Sequence, residues 1–440
     1  MTNGGLGRTK AIRAAIANIN KRSGRDACTT LNLSCVLSSP GGDWINTLPQ
    51  PRSQKATLTR DGGAEPQMKF SFFHTMPYDG LDTQELWPVR NAHFDPERGR
   101  QLYENYIDCI AFAEECGFDW LGCNEHHFSP YGMMANCNLI GAALINRTRN
   151  AKLAMIGNLV PMLNPIRVAE EYAMLDVMSG GRLIAGFMRG VPHEYLAYNI
   201  APGESRSRQR EAIALIVKAW TEPEPFAWEG EHYQFRAVSI WPRPIQKPHP
   251  RMLIPGTTED SAVTAAEHRA IMGMAFISDL SVPRRNVEAY RKVAQLAGWE
   301  AKPDDILIGQ TCCIAESDDE ARELMTPGLE YLNRVLMGPQ REAQKIVLET
   351  TGYFKRQEVS KAFSKRLSEQ TGFSIDDLIE GGNIFCGSPE TVVKQMKRVH
   401  REIGNGIFSL MMKVGNIPDK DVRRGMMLFR DRVLPEVHDL

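Results

Sequence analysis

Eight short apolar runs, separated by segments with a helical amphipathic pattern, constrain the fold of this chain more than any other feature. The runs predicted as strands are Lys69–His74, Trp120–Asn124, Leu153–Val160, Leu183–Met188, Met252–Pro255, Met272–Ile277, Ile306–Ile314 and Ile407–Lys413. Most are almost continuously apolar, which is typical of parallel strands covered on both faces. Strands and helices that alternate in this way predict a (β/α)8 barrel rather than an open, doubly wound sheet.

Two insertions interrupt the alternation. Residues 226–235 predict a hairpin that turns at Gly230, after the fourth helix and before the fifth strand. The segment from about Gly338 to Gly382 is polar, has a helical pattern and lies between the seventh and eighth strands. Because long excursions on barrels commonly form lids, we expect both to cover the barrel mouth.

Residues 1–67 differ from the rest of the chain. They contain nine Lys and Arg against four Asp and Glu, and no apolar period continues beyond a first helix-like stretch. We expect a disordered amino-terminal extension over residues 1–67 and the barrel over residues 68–440. Ile12, Ile16 and Ile19 recur at helical spacing among basic residues, which a transit peptide would also show.

Composition excludes several classes of function. The 52 Lys plus Arg balance 53 Asp plus Glu, so the chain has no field suited to nucleic acid. The longest uncharged stretch, residues 128–146, contains Ser129, Pro130 and Asn136, which disfavour burial in a bilayer. The nine cysteines include no C-x-x-C pair, which indicates neither a disulfide framework nor a structural zinc site. We therefore expect a cytoplasmic protein that binds neither nucleic acid nor membrane.

Glu125, His126 and His127 follow the second predicted strand, at the carboxyl end where barrel enzymes keep their active sites. Strand alternation would direct His126 to one side, and Glu125 and His127 to the other. Position alone leaves open a catalytic histidine, a packed histidine pair, or a zinc site completed by a ligand such as His74. The absence of an H-x-H pattern disfavours zinc, and we expect no metal.

The fourth and fifth predicted strands end in groups that suit an anion. Arg189 and Gly190 place one cation at the barrel mouth, unless Arg189 makes a surface ion pair. Gly256, Thr257, Thr258 and Ser261 follow the fifth strand, where a helix N-terminus offers N–H groups and hydroxyls to a phosphate. Capping by Thr257 or Thr258 is an equal alternative. A phosphate here departs from the usual barrel site after strands seven and eight.

Five motifs in fixed order carry a resemblance that covers the chain from about Met68 to Pro435. They are Glu125-His-His-Phe128, Asn164-Pro-Ile-Arg-Val-Ala-Glu-Glu171, Met174-Leu-Asp-Val-Met-Ser-Gly-Gly-Arg-Leu183, Gly186-Phe-Met-Arg-Gly190 and Cys386-Gly-Ser-Pro-Glu390. Together they resemble the bacterial luciferase-like flavin monooxygenases. The resemblance implies a (β/α)8 barrel that binds flavin mononucleotide (FMN), or takes reduced FMN as a substrate, at the carboxyl ends of its strands.

The resemblance also implies a reaction. In that family O2 adds to reduced flavin, and the flavin hydroperoxide transfers one oxygen atom to a small organic substrate such as an aldehyde or ketone. His126 would be the acid or base beside the ring. The residues implied in FMN binding are Asn158, beside the isoalloxazine, and Arg189, Gly190, Gly256, Thr257, Thr258 and Ser261, around the phosphate. We expect His74, Met76 and Tyr78 to line the substrate pocket, with core packing as the alternative.

The sequence and the resemblance also predict protein partners and leave alternative functions open. No G-x-G-x-x-G motif joins a strand to a helix, so reduced flavin is expected from a separate flavin reductase. Deazaflavin-dependent hydride transfer is the alternative within the superfamily, and a noncatalytic flavin binder is disfavoured by His126. A metal-dependent barrel hydrolase and a structural scaffold are the alternatives from other classes. The family's usual assembly and the apolar segment from Met133 to Ile145 predict a homodimer.

Overall fold

The computed structural model describes residues 67–275, 279–350 and 374–440. The predicted amino-terminal extension, apart from Gln67, and the middle of the second insertion therefore lie outside the described residues. The strands are β1 (Lys69–His74), β2 (Trp120–Cys123), β3 (Lys152–Leu159), β4 (Leu183–Met188), β5 (Phe226–Glu229), β6 (Gln234–Val238), β7 (Arg251–Pro255), β8 (Ile271–Ala275), β9 (Ile306–Ile314), β10 (Ile384–Gly387) and β11 (Ile407–Met411).

Eight of these strands form a closed parallel barrel. β1 pairs with β2 on one side and with β11 on the other, and the ring continues through β3, β4, β7, β8 and β9 back to β11. The register around β1 aligns Ser71 with Trp120 of β2 and with Ser409 of β11. The predicted (β/α)8 barrel is confirmed, and each predicted strand corresponds to one strand of the ring.

Helices fill the connections between the strands. They are α1 (Pro96–Glu115), α2 (Cys137–Ile145), α3 (Pro165–Met178), α4 (Pro192–Ala197), α5 (Ser205–Thr221), α6 (Glu259–Glu267), α7 (Ser281–Leu296), α8 (Asp318–Tyr331), α9 (Gly338–Thr350), α10 (Ile375–Glu380), α11 (Pro389–Ile403), α12 (Asp419–Leu428) and α13 (Leu434–Val437). Asn164, Ser317 and Ser388 cap α3, α8 and α11 by accepting backbone N–H groups, as their positions in the sequence indicate. Among the described residues, none of these helices combines the length and apolarity needed to cross a bilayer.

The first insertion is the antiparallel hairpin β5–β6, as predicted. Its attachment is to α5, through the carboxylate of Glu211. That carboxylate accepts hydrogen bonds from Trp228 Nε1 (3.0 Å), His232 N (2.8 Å) and Tyr233 N (3.1 Å). The expectation that this hairpin is a lid is wrong, because it is fastened to α5 and contributes no residue to the cavity described below.

The second insertion leads into a strand that the sequence analysis missed. The four residues of β10 pair in parallel with the last part of β9, from Ile384 opposite Thr311 to Gly387 opposite Ile314. The insertion therefore connects β9 to β10, outside the barrel ring, and α9 and α10 are its described helices.

The barrel interior is filled at its floor and open above it. Seven apolar side chains form a separate buried cluster there, namely Trp120, Ala154, Ile184, Leu253, Ile271, Leu307 and Ile407. Side chains two positions apart on a strand face the same side. Two positions after five of these residues the chain has only small side chains: Gly122, Gly186, Gly273, Gly309 and Ser409. Of these, Gly273, Gly309 and Ser409 line the space directly above the floor, at the carboxyl ends of the strands.

Candidate active site

A cavity of about 380 Å³ occupies this space. Residues from all eight barrel strands, or from the loops that follow them, line it, and α5 adds Arg206, Gln209 and Arg210. Its walls include the apolar side chains of Ile156 and Met188. The cavity lies where (β/α)8 enzymes hold their active sites.

His126 lines one part of the cavity and is held by a buried carboxylate. Its Nδ1 lies 2.9 Å from Glu194 Oε1, and the Glu194 side chain is fully buried. The same oxygen accepts a hydrogen bond from the backbone N–H of His127 (3.1 Å), while Oε2 accepts one from Val191 N–H (2.9 Å). Both carboxylate oxygens are therefore engaged by the loops after β2 and β4.

The electrostatics favour an ionised Glu194. Burial raises the pKa of this carboxyl, but the charge and hydrogen bond of His126, His193 nearby and the Val191 N–H together hold it below its ordinary value. An ionised carboxylate can only accept hydrogen bonds. His126 Nδ1 must then carry the proton of this hydrogen bond, and Nε2 is the other ring nitrogen.

His127 makes different contacts from those of His126. Its Nε2 lies 3.4 Å from Glu125 Oε1, and its Nδ1 lies 2.9 Å from the Tyr198 hydroxyl. Glu125 Oε1 also accepts a hydrogen bond from Leu159 N–H (3.2 Å). Of the two histidines left open by the sequence, His127 is the packed one with both ring nitrogens engaged, and His126 is the one on the cavity wall.

Three arginines reach another part of the cavity. Arg189 lies on its wall at the end of β4, followed by Gly190, whose φ of +87° and contact with Met162 leave no room for a Cβ. From α5, Arg206 Nη1 and Arg210 Nη2 lie 3.0 and 2.8 Å from the two carboxylate oxygens of Asp260. Sequence reasoning missed Arg206 and Arg210, although their spacing of four residues places both on one helix face.

The predicted residues after β7 divide between the cavity and the core. Thr257, Thr258 and Ser261 line the cavity. Thr258 Oγ1 accepts from Ser261 N–H (3.3 Å) and Ser261 Oγ accepts from Thr258 N–H (2.9 Å), so the capping interpretation of α6 is correct. Gly256 does not line the cavity, and a Cβ there would come within 2.1 Å of Met272 Cγ.

Four other predicted residues are buried outside the cavity lining. Asn158 exchanges amide hydrogen bonds of 3.0 and 3.1 Å with Asn138 of α2. His74 Nδ1 accepts a hydrogen bond from Met76 N–H (2.9 Å), and the Tyr78 hydroxyl donates to His93 O (3.2 Å). Because β1 directs Phe73 to the cavity, its neighbour His74 points into the helix layer. The structure does not bring His74, Met76, Tyr78 or Asn158 to this cavity.

Metal ligation has no geometric support in the described part of the chain. Within residues 67–275, 279–350 and 374–440, no three His, Cys, Asp or Glu side chains come together as metal ligands. His74 in particular is not a third ligand beside His126 and His127, since its Nδ1 faces its own strand end.

Comparison with known proteins identifies proteins that are similar to this chain in sequence. A family model described as luciferase-like monooxygenase matches residues 82–405. The alkanal monooxygenase alpha chain of Photorhabdus luminescens is 26% identical over 213 residues, 48% of this chain and 59% of that protein. The oxygenase component of the flavin-dependent trigonelline monooxygenase of Acinetobacter baylyi is 29% identical over 178 residues, 40% of this chain and 49% of that protein. The chain thus spans about half to three fifths of these two relatives.

Solved structures share the fold over most of the chain. The monooxygenase RslO1 from Streptomyces bottropensis is 27% identical with a TM-score of 0.65, covering 84% of this chain and 99% of that one. The oxygenating constituent of 3,6-diketocamphane monooxygenase from Pseudomonas putida, solved with FMN, is 20% identical with the same TM-score and coverage. An F420-dependent secondary alcohol dehydrogenase is 16% identical, with a TM-score of 0.59 over 85% of this chain and 100% of that one. The last two similarities concern the fold alone.

Proposed function

The chain belongs to the luciferase-like monooxygenase family, and on that premise we propose that it is an FMN-dependent monooxygenase. It uses reduced FMN and O2 to insert one oxygen atom into a small organic substrate such as an aldehyde or ketone. The observation that carries the proposal is a single cavity with His126 on one part of its wall and three arginines on another.

The residues around the cavity fit FMN. Arg189, Arg206 and Arg210 bring three guanidinium groups to the cavity wall near Asp260, which favours an anion such as a phosphate there. Thr257 and the start of α6 add N–H and hydroxyl donors. Ile156, Met188 and Leu253 supply apolar wall for a flat ring. Bound reduced FMN supplies the electrons that activate O2.

His126 supplies the acid–base chemistry in this proposal. Because Nδ1–H is directed at Glu194, Nε2 is the nitrogen that can accept a proton from the cavity and later return it. The apolar cluster of the floor closes the barrel below the cavity that His126 lines. Gly190, Gly256 and Asn158 enter the proposal as residues that shape the surrounding loops rather than as ligands.

We further propose two protein partners. The trigonelline relative is named as an oxygenase component, and by analogy a separate flavin reductase would supply reduced FMN to this chain. A second copy would cover the exposed apolar side chains of α2 and α3, which are Leu139, Met174, Val177 and Met178. Light scattering at micromolar concentration should give the mass of a homodimer, and a monomer mass would contradict that part. A cytoplasmic location remains a prediction.

Cofactor binding and turnover together test the proposal. Titration with FMN, riboflavin and a deazaflavin should favour FMN, and O2 consumption with reduced FMN should rise with at least one member of a panel of aldehydes, ketones, alkanes and sulfonates. Preference for the deazaflavin, with hydride transfer and no O2 uptake, would support the alternative within the superfamily. Stoichiometric zinc or manganese after purification, without flavin binding, would instead support a barrel hydrolase.

A further inference from the structure

Two His–Glu pairs lie side by side at the end of β2, and they differ in what the second ring nitrogen does. His127 has Glu125 at one nitrogen and Tyr198 at the other. His126 has Glu194 at Nδ1, and no hydrogen bond to its Nε2 is found from any described residue. We propose that Glu194 is the positioning residue of the reaction: it fixes the ring of His126 so that Nε2 is presented to the cavity.

The contacts of Glu194 make it a rigid support. Oε1 contacts both His126 Nδ1 and His127 N–H, and Oε2 accepts from Val191 N–H. The carboxylate cannot rotate without breaking at least one of these bonds, and its complete burial removes water as a replacement. The ring of His126 is further confined by Tyr131, whose ring stands edge-on to it at 5.1 Å. The imidazole is therefore held from two directions.

The other titratable groups near His126 do not provide the same charge. Burial lowers the pKa of His193 to about 4, so this neighbour is neutral at physiological pH. Burial raises the pKa of Tyr131 and of Tyr198, and both stay protonated there. His127 is engaged with Glu125. Glu194 is thus the carboxylate that orients His126 through Nδ1.

The inference rests on the proposed role of His126, but its first test requires no cofactor. Protein labelled with ¹⁵N-histidine is examined by NMR, and the His126 signals are assigned by their absence in His126→Ala. In Glu194→Gln the preference of His126 for the Nδ1–H tautomer should be lost, because an amide can donate to Nδ1 as well as accept from it. An unchanged tautomer would overturn the inference.

The neighbouring pair provides the matched control. Glu125→Gln makes the same chemical change at a buried carboxylate of the adjacent histidine. It should leave the His126 tautomer as it is in the parent protein. An equal loss of the tautomer preference in both variants would mean a general effect of removing charge, and would also overturn the inference. Thermal melting and circular dichroism show whether each variant is folded.

A double-mutant cycle distinguishes positioning from separate structural effects. Glu194→Gln alone should slow single turnover, and the rate should partly recover in Glu194→Asp. In a His126→Ala background, Glu194→Gln should cause no additional loss, because its partner is gone. Independent, multiplicative losses would contradict the inference while the proposed function stands. If His126→Ala alone has the same single-turnover rate as the parent, the proposed role of His126 is wrong, whatever the NMR spectra show.

Discussion

His74 and His126 come at the carboxyl ends of adjacent strands, but the fold uses them in opposite ways. His126 faces the cavity and has a carboxylate partner. His74 is fully buried in the helix layer, where burial and the nearby charge of Lys413 lower its pKa to about 3. The comparison shows that a position near a strand end does not by itself bring a side chain to the cavity. On β1 the strand face separates Phe73, at the cavity, from His74, in the helix layer. His126 instead reaches the cavity from the loop after β2.

The largest expected effect is on the cavity side of this comparison. His126→Ala should lower the single-turnover rate by about 10²- to 10⁴-fold, the usual contribution of a positioned acid or base. FMN binding should change little, because the phosphate is proposed to be held by the arginines and not by His126. Stopped-flow kinetics with reduced FMN measures the rate, and isothermal titration measures the affinity. A variant as fast as the parent would remove His126 from the mechanism.

On the core side, His74 should affect stability and its pH dependence. The unfolded chain protonates His74 below about pH 6.5, whereas the folded chain resists protonation down to about pH 3. Stability linked to His74 is therefore present above pH 6.5 and is lost as the pH falls from 6.5 towards 3. Between pH 7 and pH 5 the parent should lose about 2 kcal/mol more of its unfolding free energy than His74→Gln. Urea unfolding at both pH values measures this difference.

The same variant can overturn the comparison. If His74→Gln is folded at pH 7 but its KM rises strongly, then His74 contacts substrate after all, as the sequence suggested. If its stability falls with pH as steeply as that of the parent, the acid sensitivity belongs to other groups. Either result would show that the two histidines do not divide into one at the cavity and one in the core.

Arg189→Ala should weaken FMN binding by roughly 10- to 100-fold, since one charge-assisted hydrogen bond contributes about 1.5 to 3 kcal/mol. Riboflavin, which lacks the phosphate, should bind nearly as before. The matched control is Arg236→Ala, which removes an exposed arginine of β6 that does not line the cavity. Equal losses for the two flavins in Arg189→Ala would place the phosphate elsewhere, and β9 and β11 would be the next strand ends to test.

Thr258→Ala should have a smaller effect on FMN, below about tenfold, because a neutral hydroxyl donates more weakly than a guanidinium. It should also destabilise α6, since loss of an N-cap hydroxyl costs about 1 kcal/mol. Thr258→Ser keeps both the cap and the donor, and should behave like the parent. A large loss of FMN affinity without any loss of stability would mean that the hydroxyl acts mainly on the phosphate.

The smallest effect is expected for a chain that starts at Met68. Met68 is buried, and its N–H donates to His438 O at 2.9 Å, so the first barrel strand keeps its own anchor. Melting temperature and turnover should match those of the full chain. A loss of more than a few degrees would mean that residues 1–67 contribute to the stability of the barrel.

The sequence predicts what depends on local pattern. Eight apolar runs are local signals, and the structure confirms them as the eight strands of the ring. β10 was missed because four residues give too short a period to recognise. Glu194 was missed because its partner lies 68 residues away in the chain, and its own segment resembles a surface helix. Such pairs depend on tertiary contacts that no spacing reveals.

Irregular backbone accounts for the expected residues that do not line the cavity. Met76 and Tyr78 were expected at the substrate because they follow β1, but both side chains are buried in the core. Met76 has a positive φ of 46°, which interrupts the extended backbone after β1. Asn158 comes just after a shift in the register between β3 and β4, which directs it to Asn138. An irregularity in a strand changes the side of the sheet to which the following side chains point. The sequence alone does not show where such an irregularity lies.

The helix α5 contacts both the hairpin and the cavity. α5 fastens the hairpin through Glu211 and carries Arg206 and Arg210 to the cavity. A change in the hairpin that alters the contacts of Glu211 is therefore expected to reach Arg206 and Arg210 along the same helix. On the proposed function, cofactor affinity would then depend on hairpin residues that do not line the cavity. A survey of laboratory-evolved variants should find hairpin changes accompanied by compensating changes on α5.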